Sequence, residues 1–130
     1  MFSHINIGIN DFERQYRFYA GLMDILGHKP RFAEKEKGWA GWQAADSARP
    51  LFLIARPFDG GPASPGNGQM VALLASTRPM VDRAYDYAIA QGGMDEGAPG
   101  LRPHYHPNYY GAYFRDPEGN KLCVVCHAAE

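Results

Sequence analysis

The chain has 130 residues, 45% of them apolar and 21% charged, with a formal net charge of -1. That length suits a single domain, and so small a charge offers no field to hold nucleic acid or an anionic membrane surface. No apolar run approaches the roughly 20 residues that a membrane-spanning helix needs.

The opening stretch, MFSHINIGIN, lacks the basic and apolar regions of a secretory signal, so a cytoplasmic protein is expected. In that compartment Cys123 and Cys126 are expected as thiols. Within the same stretch Ile5, Ile7 and Ile9 alternate with His4, Asn6 and Gly8, giving a strand with one face for a helix and one for a cavity. In NDFERQYRFYAGLMDILG, Phe12, Tyr16, Tyr19, Met23 and Leu26 recur at helical spacing beside Leu22. Asn10 or Asp11 is placed to cap that helix, and Gly27 to end it. KGWAGWQAAD and PLFLIAR then read as two strands joined by a turn near Asp46 and Ser47. Trp39 and Trp42 have opposite parity, so one belongs to a pocket and the other to the core.

Residues 57–68, PFDGGPASPGNG, form a Gly/Pro-rich connection. After it the order repeats. MVALLA (70–75) is a strand, and STRPMVDRAYDYAIAQGG is a helix with Ser76 or Thr77 as its cap and Pro79 in its first turn. Val81, Ala84, Tyr85 and Ala88 form its buried stripe, and Gly92-Gly93 ends it. YGAYFRDPEGNKLCVVCH reads as a hairpin turning at Asp116–Asn120. The halves overlay with His4 on Met70, Gly8 on Leu74, WAGWQAAD on YGAYFRD and LFLIA on KLCVV. In such a repeat each helix covers one face of its sheet and leaves the other to line a cavity.

Between the second helix and the hairpin lies GAPGLRPHYHPNYYGAYF (97–114), which sets Arg102, His104, Tyr105, His106, Asn108, Tyr109, Tyr110 and Tyr113 among prolines. Pro103 and Pro107 restrict this loop. Three readings are open. It is the wall of a small-molecule pocket, with Tyr110 or Tyr113, Arg102 and a histidine as polar groups. It is a dimer contact, since Tyr and Arg favour interfaces. Or its aromatics only pack on the sheet.

The closing strand contains CVVCH (123–127), a literal match to the C-x-x-C-H pattern of covalent haem attachment. Residues i and i+3 on a strand point to opposite faces, so these thiols do not grip one group, and haem is not expected.

Three segments carry a resemblance: HINIGINDFERQYRFYAGLMDILG at the start, GNGQMVALLA in the middle and RDPEGNKLCVV at the end. Together and in this order they resemble the vicinal oxygen chelate superfamily, which includes glyoxalase I, bleomycin-resistance proteins and extradiol dioxygenases. The resemblance implies an α+β fold of two βαβββ modules, residues 1–56 and 69–130, whose sheets curl into a half-open cup. It also implies a homodimer. Metal enzymes of the family carry ligands on the first and last strand of each module, which by position are His4, Leu53, Met70 and Cys123. Only His4 is a usual ligand there, since Leu offers no donor and a thioether does not suit Zn²⁺, Ni²⁺ or Fe²⁺. No metal cofactor is therefore expected at the family's position. An altered divalent-metal site would have to use His4, Cys123 and His127.

Strand parity turns His4, Asn6, Met70 and Cys123 to the cup, the resemblance adds Leu53, the repeat overlay adds Gln43 and Tyr113 as equivalent positions, and the loop adds His106 and Tyr110; these nine are expected to meet a small-molecule ligand. Three functions follow as expectations. The first is a metal-independent lyase or isomerase, with His4 or a loop histidine as base and Tyr110 and Arg102 holding an oxyanion. The second is a non-catalytic binding protein of the bleomycin-resistance kind. The third is a glyoxalase- or dioxygenase-type metal enzyme with altered ligands. No membrane or nucleic-acid partner is expected.

Overall fold

The structure, a computed structural model, describes residues 1–130. The first module runs β1 (His4–Gly8), α1 (Phe12–Ile25), β2 (Lys29–Glu34), β3 (Trp39–Gln43) and β4 (Leu51–Ala55). The second runs β5 (Val71–Leu74), α2 (Arg78–Ala90), β6 (Met94–Leu101), β7 (Tyr110–Arg115) and β8 (Lys121–Cys126). Each module makes a four-stranded mixed sheet, ordered β1-β4-β3-β2 and β5-β8-β7-β6, with its first and last strands parallel. The fold is thus α+β, built from two βαβββ units.

The helices begin and end where their local chemistry demands. The Asp11 carboxylate accepts from the Arg14 amide at 3.2 Å, and Thr77 Oγ1 accepts from the Met80 amide at 3.2 Å. Gly27 and Gly92, with φ of +82° and +92°, take the left-handed turns that leave them.

Two strands that the βαβββ plan implies were not placed by the residue pattern: β2, and β6, whose residues 97–101 were read as the start of a loop. Both are outer strands. β2 carries Pro30 and shifts register between Pro30 and Phe32; β6 carries Gly97, Pro99 and Gly100 and shifts twice. A sheet edge tolerates such residues because one side of the strand has no ladder to satisfy.

The repeat also differs in one register. Asn6 pairs with Leu53 and Leu53 with Gly41; the matching triple is Ala72, Cys123 and Tyr113. β3 therefore overlays β7 with Gly41 on Tyr113 and Gln43 on Arg115, two residues from the expected overlay of Gln43 on Tyr113. The shift puts Trp42 over Phe114, and both are buried on the helix side.

One core joins the modules, with α1 at its centre. Tyr16 stacks on Trp42 and Tyr19 packs on Phe52, both in the first sheet. Phe18 meets Phe114 of the second sheet and Tyr87 of α2. Gly21 makes the helix contact close: a Cβ there would fall 2.0 Å from the Tyr87 hydroxyl. The β7–β8 turn locks the arrangement. Asp116 is fully buried and accepts from Gln15 Nε2 (2.8 Å), Tyr19 OH (2.6 Å), Asn120 Nδ2 (2.8 Å) and the amides of Glu118 and Asn120. Glu118 accepts from the amides of Asn10 and Asp11, at 2.8 and 2.7 Å.

Candidate functional site

Turned away from the core, the first sheet presents His4 and Asn6 of β1, Leu53 and Ala55 of β4 and Trp39 of β3. These residues line a cavity of about 440 Å³, within the size range of small-molecule sites. The β2–β3 turn adds Lys37, and the chain leaving β4 adds Arg56, Pro57 and Phe58. Gly41 shapes the floor beside it: a Cβ would lie 2.5 Å from Leu53 Cδ2 and 2.7 Å from Phe32 Cε1.

The wall is fixed by local contacts. Trp39 Nε1 donates to Glu34 at 2.7 Å, and its ring packs on Phe32 with centroids 4.7 Å apart. His4 Nδ1 lies 2.9 Å from Ser3 Oγ, which leaves Nε2 as its uncommitted nitrogen. Of the two tryptophans, Trp39 therefore belongs to the cavity and Trp42 to the core.

The second module is closed at the matching place. Tyr109 lies over Cys123, with its hydroxyl 3.6 Å from the sulfur and 2.8 Å from Tyr113 OH. Gly111 gives Tyr109 room, since a Cβ would fall 2.9 Å from Tyr109 Cε1. Burial, the largest cause, pushes the Cys123 thiol and both phenols above their ordinary values, so all three stay protonated near neutrality. Arg102 and Lys121 stand over the Tyr113 ring at 5.5 and 5.9 Å. Beside them His106 Nε2 and His127 Nδ1 are 2.8 Å apart. The Asn108 amide donates to His106 Nδ1, so in a neutral pair His106 donates and His127 accepts.

The expected site residues thus divide. His4, Asn6 and Leu53 come together, and Asn6 also borders a cleft of about 230 Å³ with Met70 between β1 and β5. Gln43 accepts from Arg31 at 3.1 Å and lines a separate crevice with Trp42 and Phe52. Arg102, His106, Tyr113 and Cys123 belong to the aromatic cluster of the second module. Tyr110 needs correcting: it faces α2, donates to Asp82 at 2.7 Å and lies under Arg78. Its pairing with the buried Cys126 fixes that side. Of the loop's aromatics, Tyr109 and Tyr113 pack on the sheet beside Cys123, and Tyr105 is exposed. Lys37, Arg56 and Phe58 were not expected. The signal for them was the β3–β4 hairpin register, in which the Arg56 amide donates to Gly38 O at 3.0 Å.

The donors of this chain do not fit a divalent metal. His4, Cys123 and His127 are not assembled: His4 is in the open cavity, Cys123 is under Tyr109 and His127 is paired with His106. No three His, Cys, Asp or Glu side chains come within reach of one ion. Cys123 and Cys126 are free and buried on opposite faces of β8, which is no haem clamp.

Comparison with known proteins agrees with this architecture. The sequence model of the Glyoxalase/Bleomycin resistance protein/Dioxygenase superfamily matches residues 1–124. A glyoxalase/bleomycin resistance protein from Albidiferax ferrireducens is 36% identical, with a TM-score of 0.87 over 97% of this chain and 98% of that one. A glyoxalase-related enzyme from Fulvimarina pelagi is 21% identical, with a TM-score of 0.71 over 97% and 87%. A lactoylglutathione lyase from Agrobacterium tumefaciens is 18% identical, with a TM-score of 0.62 over 97% and 92%. No curated protein matches the chain. The two-module architecture, the full-length sequence match and the 36% identical relative together carry one conclusion: this chain belongs to the glyoxalase/bleomycin resistance protein/dioxygenase superfamily.

Proposed function

We propose that the protein binds a small organic molecule in the cavity of its first module, without a resident metal. One observation carries this reading. The cavity of about 440 Å³ is walled by an anchored indole and aliphatic side chains, with His4 and Asn6 among its polar groups. Apolar walls with a few placed polar groups are what small-molecule sites use for affinity and orientation. The test is ligand screening by the NMR signal of the Trp39 indole N–H. A saturable shift supports the reading, and a panel of small organic molecules that leaves the signal unmoved counts against it.

A second reading rests on His4. Its Nδ1 is engaged by Ser3, and Nε2 is free to accept a proton from a bound molecule, as an isomerase or lyase would require. Recovery of ligand after long incubation separates the two. Unchanged ligand means binding alone, and a converted product that disappears with His4→Ala means proton transfer. The outer edges of β1 and β5 are unpaired, and Leu74 is 68% exposed, which supports a second copy of the chain as partner. Light scattering of the purified protein tests that.

A further inference from the structure

The charges around the cavity name a ligand class, on the reading that this cavity binds a small molecule. His4, Lys37 and Arg56 line it, and no carboxylate does. Glu34 lies 3.4 Å from Lys37 and offsets its charge. The ion pairs of the chain are Lys35–Glu13, Lys37–Glu34 and Arg115–Glu96, so Arg56 is left without one.

Arg56 is also close to the β2–β3 turn. Its side chain lies across Gly38, where a Cβ would fall 2.7 Å from Nη1 and 2.9 Å from Cδ. Gly38 itself has φ of +69°, which a glycine adopts freely. The aromatic part of the wall is equally specific. Trp39 is anchored by Glu34 and Phe32 yet 36% exposed. Phe58 is fully exposed at the same cavity, an aromatic side chain with no packing partner of its own. A neutral ligand would cover the guanidinium without pairing it, whereas a carboxylate accepts two of its N–H groups side by side.

We infer that this cavity takes a small aromatic carboxylate, its ring against Trp39 and Phe58 and its carboxylate on Arg56.

The test is NMR titration of the wild-type chain with 4-hydroxybenzoate and with the neutral 4-hydroxybenzamide, following the Trp39 indole N–H. The carboxylate should bind about ten-fold tighter than the amide. Added salt should weaken the carboxylate and leave the amide unchanged. In Arg56→Gln the preference should vanish while amide affinity stays within about two-fold. Arg56 is exposed and unpaired, so this variant should fold, and Arg83→Gln on α2 controls for net charge. Equal affinities of acid and amide, with Trp39 shifted by both, would overturn the inference and leave the binding reading standing. A preference that survives Arg56→Gln would also overturn it. If neither compound moves the Trp39 signal, both readings fall.

Discussion

Tyr109 lies across Cys123, hydroxyl to sulfur 3.6 Å, and shuts the second module at the position where Leu53 of the first looks into an open cavity. Leu53 and Cys123 occupy the same place in the repeat, each paired to the middle of its module's first strand. The modules share a plan but not an opening.

Removing the cover should expose the thiol. Cys123 is fully buried and its pKa is raised, first by burial, so the reactive thiolate is scarce in the folded wild type. Tyr109→Ala should raise the rate of iodoacetamide labelling at Cys123 by at least about ten-fold. Cys126, in the core on the opposite face, should stay unlabelled. Peptide mass spectrometry reads both, and an unchanged rate at Cys123 would show that Tyr109 is not what shields it.

Alkaline pH should destabilise the fold. Tyr19, Tyr109, Tyr113 and Cys123 all hold their protons more tightly than usual, with burial the largest cause in each. Once unfolded, the thiol titrates near 9.0 and the phenols near 10.0. Above those values the folded chain carries more protons than the unfolded one, so stability falls as pH rises. The contribution is complete below the ordinary thiol value and is lost as pH climbs through the raised folded values. Thermal melts should be level near neutrality and decline above 9.0. Tyrosinate absorbance should rise in step with unfolding.

Asp116 is the least replaceable polar residue of the fold. Asp116→Ala would leave Gln15, Tyr19, Asn120 and two backbone amides without their acceptor in the core. The loss should be about 3–5 kcal/mol in denaturant unfolding. Asp46, its partner in the sequence overlay, is exposed, and Asp46→Asn should stay within about 0.5 kcal/mol of wild type. Equal effects at the two sites would contradict the account.

Gly38→Ala should act twice. A side chain at φ +69° is strained, and the added Cβ would meet the Arg56 guanidinium. Stability should drop by about 1 kcal/mol, and the preference for 4-hydroxybenzoate over its amide should shrink with it. Loss of stability with the preference intact would free Arg56 from the position given to it here.

Most of the architecture was legible because local chemistry and tertiary demand coincide. Phe12, Tyr16, Tyr19 and Met23 share a helical stripe because that stripe meets the core, and Asp11 and Thr77 cap where capping residues stand. β2 and β6 were illegible for the opposite reason: their prolines and glycines are permitted only by a place at the sheet edge, which local sequence does not encode. Tyr110 was misplaced because YGAYFR puts a tyrosine on each face, and Tyr is at home in core or cavity alike. Only its pairing with Cys126 decides. His4 and Asn6 followed from strand alternation, and Leu53 from the family resemblance. Lys37, Arg56 and Phe58 lie in a turn and a connection, where direction is set by the hairpin and not by any period.

The grip of Asp116 and Glu118 on α1 and its cap makes the two modules depend on each other. Helix α1 has its buried amide and phenol satisfied, and the backbone amide of its cap Asp11 received, by a turn about 100 positions away, as the separations of 101 and 107 for Gln15–Asp116 and Asp11–Glu118 record. Each half thus takes buried polar partners from the other. Severed within residues 57–68, the chain should give two fragments that remain unstructured alone and regain structure only on mixing, a complementing pair whose affinity measures how strongly each module depends on the other.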